Sequence, residues 1–230
     1  MPGELSEWAG AVAPSGEVLE GRFVRLAPFR AEAHAAQLYD ACAGRDDVWE
    51  YMPWGPFSSA AAFHRQMAAL TSDPAWVYYA ICGLDGICLG KAAYLRIVPD
   101  QGVIEVGGIT FSPALQRTPA ASEAMILMMR WAFAQGYRRY EWKCDARNLP
   151  SRRAAQRLGF SYEGVFRQHM VVKGRNRDTA WFAVTDQDWP ALSEAYDIWL
   201  SKANFDASGA QKERLSALTR LVRVSSDPAL

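Results

Sequence analysis

Over residues 137–145 the chain alternates, with Tyr140, Trp142 and Cys144 set between Arg139, Glu141, Lys143 and Asp145, the two-residue period of a half-buried strand. The period then changes. Asn148 is a good helix N-cap, Pro150 is tolerated in a first turn, Ala154, Ala155 and Leu158 share a stripe, and Gly159 can take the left-handed conformation that ends a helix. Residues 145–160 therefore predict a strand end, a polar mouth at Asp145-Ala146-Arg147-Asn148, and a short helix. Upstream, a longer helix is expected over 119–135, where Ala121, Ala124, Met125, Met128, Ala132 and Phe133 lie close to one face and Gly136 supplies the stop.

The remaining pattern is a meander of strands flanked by helices. Residues 22–28 have strand character. Residues 76–82 and 87–98 read as strands joined around Asp85-Gly86, a hairpin dipeptide, and Pro99-Asp100-Gln101-Gly102 turns the chain into a further strand over 103–111. Helical spacing covers 32–42 and 58–70, the second capped by Ser58. Between them Trp49-Glu50-Tyr51-Met52-Pro53-Trp54-Gly55-Pro56 is an aromatic loop, either a lid or a packed Ω-type connection. A hairpin is expected over 164–184, then helix-like segments over 189–205 and 211–224, which could cover the sheet or make a subunit contact, as in a homodimer. Residues 1–20, with Pro2, Gly3, Pro14 and Gly16, read as a loose lead-in.

Composition narrows the classes. Half of the 230 residues are apolar, enough for a sizeable core, and Lys+Arg balances Asp+Glu at 25 each, so the overall charge does not suggest nucleic-acid or polybasic membrane binding. Any anionic ligand must be held by a local cluster. No apolar run approaches the roughly 20 residues that span a bilayer, and the start lacks a basic segment leading into an apolar one; a cytoplasmic protein is expected. Cys42, Cys82, Cys88 and Cys144 form no C-x-x-C pair and have no His partner at ligand spacing, so neither metal nor disulfides are expected. The nine tryptophans are best explained by core packing.

The words Asn148-Leu149-Pro150-Ser151, then Ala154-Ala155 and Arg157-Leu158-Gly159-Phe160, closely resemble the N-x-x-S...A...LGF segment of the GNAT acyltransferases, in particular their RimJ/RimL branch of ribosomal-protein N-terminal acetyltransferases. The strand 103–111 and the helix from Pro119 precede it in the family's order, and Gly164, Arg167, Gly174 and Asp178 follow on the hairpin. The resemblance covers residues 21–189, leaving 1–20 as lead-in and 190–230 as a helical extension. It implies an α/β (α+β) fold with a mixed, mostly antiparallel sheet, splayed at its centre, and helices on both faces. It also implies transfer of an acyl group, acetyl above all, from acetyl-CoA or another acyl-CoA such as succinyl-CoA to an amine-bearing acceptor, a small molecule or a protein N-terminus. The acceptor is not readable.

In that family acyl-CoA lies across two splayed parallel strands, here 103–111 and 140–145, with its pyrophosphate at the N-terminus of the helix after the first. The phosphate-loop pattern Q/R-x-x-G-x-G/A meets Gln116-Arg117-Thr118-Pro119-Ala120-Ala121. Gln116, Arg117 and Ala121 fit; Pro119 replaces a glycine, removes one amide donor and leaves Arg117 with the amides of Ala120 and Ala121 as candidates. By resemblance Asn148 bonds the pantetheine arm and Ser151 faces the thiol, where a hydroxyl can serve the leaving thiolate; each is also a normal residue for a helix start. Glu105, a carboxylate in the apolar run Val103-Ile104-Glu105-Val106, is the candidate general base, or else the ion-pair partner of Arg96 or Lys91, with Glu141 a weaker alternative. Backbone N–H groups within Ile109, Thr110 and Phe111 are candidate oxyanion donors, since Gly107-Gly108 marks a bulge. Trp54, Tyr94, His169 and Trp181 are placed by resemblance at the acceptor cleft. A non-catalytic acyl-CoA-binding or protein-interaction member with a degraded phosphate loop is the rival reading, favoured by Pro119.

Overall fold

The computed structural model describes residues 5–230; Pro2 and Gly3 of the expected lead-in lie outside them. Eight strands form one sheet in the order β1-β2-β3-β4-β5-β6-β8-β7. They are β1 (Leu19–Glu20), β2 (Arg25–Pro28), β3 (Trp76–Cys82), β4 (Cys88–Val98), β5 (Val103–Phe111), β6 (Arg139–Asp145), β7 (Ser161–Val172) and β8 (Arg175–Thr185). Every neighbouring pair is antiparallel except β5 and β6. The helices are α1 (Ala31–Ala41), α2 (Ala60–Thr71), α3 (Pro119–Ala134), α4 (Leu149–Arg157), α5 (Trp189–Leu200) and α6 (Leu215–Thr219).

The strand alternation sorts side chains to two layers. Ile104, Val106, Tyr140, Trp142 and Cys144 lie in the larger core with Ala124, Met125, Met128, Met129 and Ala132 of α3 and with residues of α4 and α5. A smaller core joins α1 and α2 to Tyr78, Ala80 and Ala93 on the opposite face. α3 is almost enclosed, and buried Glu123 accepts backbone N–H bonds from Arg22 at 2.8 Å and Phe23 at 2.6 Å. That carboxylate lies so close to Gly21 that a Cβ there would meet it at 2.5 Å; a side chain at this turn would have to push the carboxylate off these bonds.

Several expectations shift at their edges. The cap of α2 is Ser59, whose Oγ accepts from the Ala62 N–H at 3.2 Å, rather than Ser58. Of the two readings of the aromatic loop, the packing of Trp49 fits the packed connection: it is buried, with Phe57 and Phe63 ring centroids at 5.1 and 5.5 Å. The described part of the lead-in docks, through Trp8 Nε1 donating to Gly136 O and the N–H groups of Ala11 and Val12 donating to Pro99 O and Gln135 O. Residues 211–224 are helical only over α6; the chain that follows makes turns and bends beside α4, where Asp227 meets Arg152 in a bidentate pair, both bonds 2.6 Å. Among the described residues no helix is long and apolar enough to cross a membrane.

The sheet opens at its centre. β5 and β6 pair only from Val103↔Arg139 to Val106↔Trp142. Past that point the register against β4 slips between Ala93↔Gly107 and Lys91↔Thr110, and Gly108 has φ +59°, a left-handed conformation that glycine adopts without a Cβ penalty. β6 meanwhile stays with β8 as far as Asp145↔Thr179. A wedge is left between residues 107–111 and 143–145.

Candidate active site

Two helix starts border the wedge. After β5, Gln116 Nε2 donates to Phe111 O at 3.0 Å, and Arg117 takes φ +61°. Thr118 caps α3, accepting from the Ala121 N–H at 3.2 Å, and Pro119 occupies the first helical position. This corrects the expectation for Ala121: its amide is taken by its own cap. Ala120 N–H and the Arg117 side chain remain from the phosphate-loop candidates. After β6, Asn148 Oδ1 accepts from the Ser151 N–H at 3.0 Å, so its carbonyl serves as an N-cap. Ser151 Oγ accepts from Trp142 Nε1 at 3.0 Å and keeps a proton to donate. Beside it the Cys144 thiol is pushed up to about 11, by burial first. On β5 itself Ile109 and Phe111 are half-buried, and Thr110 has a buried Oγ1 with no hydrogen-bond partner.

The face of the sheet turned toward α1 and α2 carries charge. Glu105 and Glu141 are Cα partners on adjacent strands, a pairing that like charges disfavour. Lys143 resolves it: Nζ is 3.0 Å from Glu105 Oε2 and 2.6 Å from Glu141 Oε2. Arg96 Nε approaches Glu105 Oε2 at 3.2 Å, and Arg139 joins Glu141 at 2.7 Å to Glu163. Burial pushes the Glu105 carboxyl above its ordinary range, with Lys143 and Arg96 opposing. For Glu141 burial acts the same way, but the bonds from Lys143 and Arg139 outweigh it and hold the carboxyl low.

Lys91 is not a partner of Glu105. It is fully buried, donates to Gly108 O at 2.6 Å and lies 5.4 Å from the Trp54 ring and 5.2 Å from that of Tyr78. Without a carboxylate its ammonium is pushed down to about 7 by burial. Trp181 covers Lys143 at 3.7 Å, and His169, 6.0 Å from that ring, bonds through Nδ1 to Thr179 Oγ1 at 2.9 Å. The buried Trp54 Nε1, Trp181 Nε1 and Tyr78 OH have no hydrogen-bond partner, so this face has donors to offer. Tyr94 is a correction. It points to the opposite face, is fully buried, and donates to Met128 O at 2.6 Å, which makes it a core residue of the α3 layer.

Glu105, Lys143, Trp181 and His169 thus gather on one side of the wedge, with Trp54 across β5 and Ser151 at the mouth. A family model described as an acetyltransferase (GNAT) domain matches residues 24–161. The chain belongs to the GNAT acetyltransferase family. A GCN5-related N-acetyltransferase from Brucella melitensis is 43% identical, with a TM-score of 0.90 over 94% of this chain and 100% of that one. A probable GNAT-family acetyltransferase from Chromobacterium violaceum ATCC 12472 is 42% identical, with a TM-score of 0.79 over 83% and 97% of the two chains. RimL, a ribosomal L7/L12 alpha-N-protein acetyltransferase solved with coenzyme A, shares the fold at 18% identity and a TM-score of 0.62, over 74% and 98% of the two chains. Among curated proteins no relative matches.

The member of this site that the sequence reading missed is Lys143, which strand alternation alone marks only as a polar position. A signal was present. Glu141 and Lys143 share a parity on β6, and placing Glu105 beside Glu141 in a parallel pair calls for a cation on that face. Among the described residues no cluster of His, Cys, Asp and Glu is arranged to hold a metal.

Proposed function

We propose that this GNAT protein transfers an acetyl group from acetyl-CoA to a primary amine by direct attack in a ternary complex. The observation that carries the reading is Glu105, a buried carboxylate with a raised pKa at the closed end of the wedge, two residues before β5 loses its partner. Glu105 accepts a proton from the attacking ammonium, directly or through one water. Backbone N–H groups within residues 109–111, no longer paired to β6, donate to the thioester oxygen as it gains charge. The Ser151 hydroxyl hydrogen-bonds the departing thiolate. Trp54, Trp181 and His169 line the acceptor side, and the unpaired edge of β5 with the buried Thr110 hydroxyl suits the extended pantetheine arm.

A protein N-terminus, as in the RimJ/RimL branch, and a small-molecule amine are the two acceptor classes; succinyl-CoA is the alternative donor. The non-catalytic reading has one observation in its favour: Pro119 and the Thr118 cap leave the first turn of α3 short of free donors. The test is turnover of acetyl-CoA and succinyl-CoA against a panel of amines and N-terminal peptides, alongside melting curves with CoA, since a native-state ligand raises stability with its concentration. Turnover is expected. A CoA-dependent rise in melting temperature without turnover on any amine would favour the binding module, and no shift at millimolar CoA would remove acyl-CoA altogether.

A further inference from the structure

Gly108 is where β5 changes course. It takes φ +59°, and neither it nor Ile109 has a partner residue on β4 or β6, since β4 resumes only at Lys91↔Thr110 and β6 ends its pairing at Val106↔Trp142. A peptide unit outside both ladders keeps its orientation only if something else holds it.

Two side chains do so. The Tyr78 ring lies against Gly108 so closely that a Cβ there would meet Tyr78 Cε1 at 3.2 Å and the phenol oxygen at 3.4 Å. Lys91 Nζ donates to Gly108 O at 2.6 Å, a charge-assisted bond. The peptide between Gly108 and Ile109 is trans and planar, so its C=O and N–H point opposite ways and a bond that fixes Gly108 O also fixes the Ile109 N–H. A cation at the oxygen draws charge along the same amide and makes that N–H a stronger donor.

Stability does not explain the lysine. Lys91 is fully buried, opposite Ala80 on β3, and among the described residues it forms no ion pair with a carboxylate. The titratable groups that act on it are the thiols of Cys42 and Cys88. Burial pushes the first up to about 11, and a hydrogen bond to Cys82, with burial, pushes the second up, so neither supplies a counter-charge at neutral pH. A buried ammonium without one costs stability, and such costs are retained where the group serves activity.

We propose that Lys91 is a positioning residue for acyl transfer: its ammonium holds and polarises the Gly108–Ile109 peptide, so that the Ile109 N–H is the prepared donor to the thioester oxygen. This role rests on the acyl-transfer reading above. It singles out one amide among residues 109–111 and accounts for a lysine that no carboxylate requires.

The test is isotope-edited infrared spectroscopy of acetyl-CoA carrying heavy carbon at the acetyl carbonyl, bound to the full-length protein without amine. The pH is 6, below the value of about 7 to which burial pulls the ammonium. In the parent the carbonyl band should move to lower frequency on binding, the mark of a donor aimed at the thioester oxygen. Lys91→Met should lose most of that shift while binding acetyl-CoA within about twofold of the parent. With the amine that turns over in the panel, its kcat should fall about tenfold at unchanged KM for acetyl-CoA, part of what a whole oxyanion donor contributes. Lys91→Gln, neutral and one atom shorter, should lose the shift as well, and decides the matter if the apolar variant does not fold. A purely structural lysine would give the reverse: variants that melt lower and, where folded, keep the band and kcat. That result, or a shift retained in both variants, overturns the proposal. A parent that binds acetyl-CoA with no shift also overturns it, while leaving the acyl-CoA reading in place. Failure of the parent to bind acetyl-CoA at millimolar concentration removes both.

Discussion

Lys143 and Lys91 lie on the same face of the sheet, one on each side of the opening between β5 and β6, and both are out of water. Lys143 sits between two carboxylates and under an indole ring. Lys91 has one carbonyl and two aromatic faces. A buried ion is stable where opposite charge and hydrogen bonds replace its lost hydration, and costly where they do not. The first lysine therefore holds two carboxylates together, whereas the second is pushed down to about 7. Glu105 owes its place beside Glu141 to this asymmetry.

The largest effect should come from taking away the bridging cation. Lys143→Met leaves Glu105 and Glu141 side by side with less charge to offset them, and should cost about 3–5 kcal/mol at neutral pH, the scale of a broken buried ion pair. Both folded-state carboxyl pKa values would rise. A raised carboxyl pKa is a penalty above that pKa, so the defect should shrink as the pH falls into the range where the carboxylates protonate. Denaturant titrations at neutral and acidic pH check the size and the slope. A variant as stable as the parent would mean that Arg96 and Arg139 suffice.

Glu105→Gln probes the same cluster without stripping its cation. Lys143 keeps Glu141 at 2.6 Å, so the fold should hold while kcat/KM falls about 100-fold and the acidic limb of the pH profile disappears, as expected when a general base is lost. A destabilised protein with normal specific activity would make Glu105 structural.

At Lys91 the sign reverses. Replacing an uncompensated buried ammonium by an apolar chain of similar length should stabilise, by about 1–4 kcal/mol, so Lys91→Met should melt higher than the parent at pH 6. Lys91 titrates near 7 in the folded protein against 10.5 for an ordinary lysine side chain, so between these values the unfolded chain binds the extra proton and parent stability rises with pH. The advantage of Lys91→Met should be full below pH 7 and fade toward pH 10. A flat difference across that range would show that Lys91 stays charged in the fold at no cost.

The sequence carried the frame of this comparison but not its pairing. Alternation located β6 and put Glu141 and Lys143 on one side of it, and Gly107-Gly108 foretold the slip in β5. The pairing depends on register, in which Glu105 stands opposite Leu95 and Lys91 opposite Thr110, so Lys91 is out of reach of Glu105 with or without the slip. Tyr94 was readable in principle. It has the opposite parity to Lys91, Ala93 and Leu95 on β4, and so had to face α3 if Lys91 faced the wedge. The C-terminal region was the least legible: Leu215, Leu218 and Val222 keep a helical period, yet only Leu215–Thr219 is helical, because the tail must run along α4 to bring Asp227 to Arg152. No local pattern announces that contact.

The smallest effect concerns Ser151, at the start of α4, where a hydroxyl has two duties. Its oxygen accepts from the buried Trp142 Nε1, and its proton is free for a leaving thiolate. Ser151→Ala removes both, so it should cost about 1 kcal/mol of stability through the unpaired indole N–H and lower kcat about tenfold with little change in the KM for acetyl-CoA, the mark of an interaction made in the transition state. Trp142→Phe separates the two duties, since it removes the indole donor and keeps the hydroxyl. That variant should also lose stability, from the smaller ring, yet retain kcat. If kcat falls as far in Trp142→Phe as in Ser151→Ala, the hydroxyl acts only through its place in the packing. If KM and kcat change together in Ser151→Ala, Ser151 is a contact to the bound cofactor and has no part in the departure of the thiol.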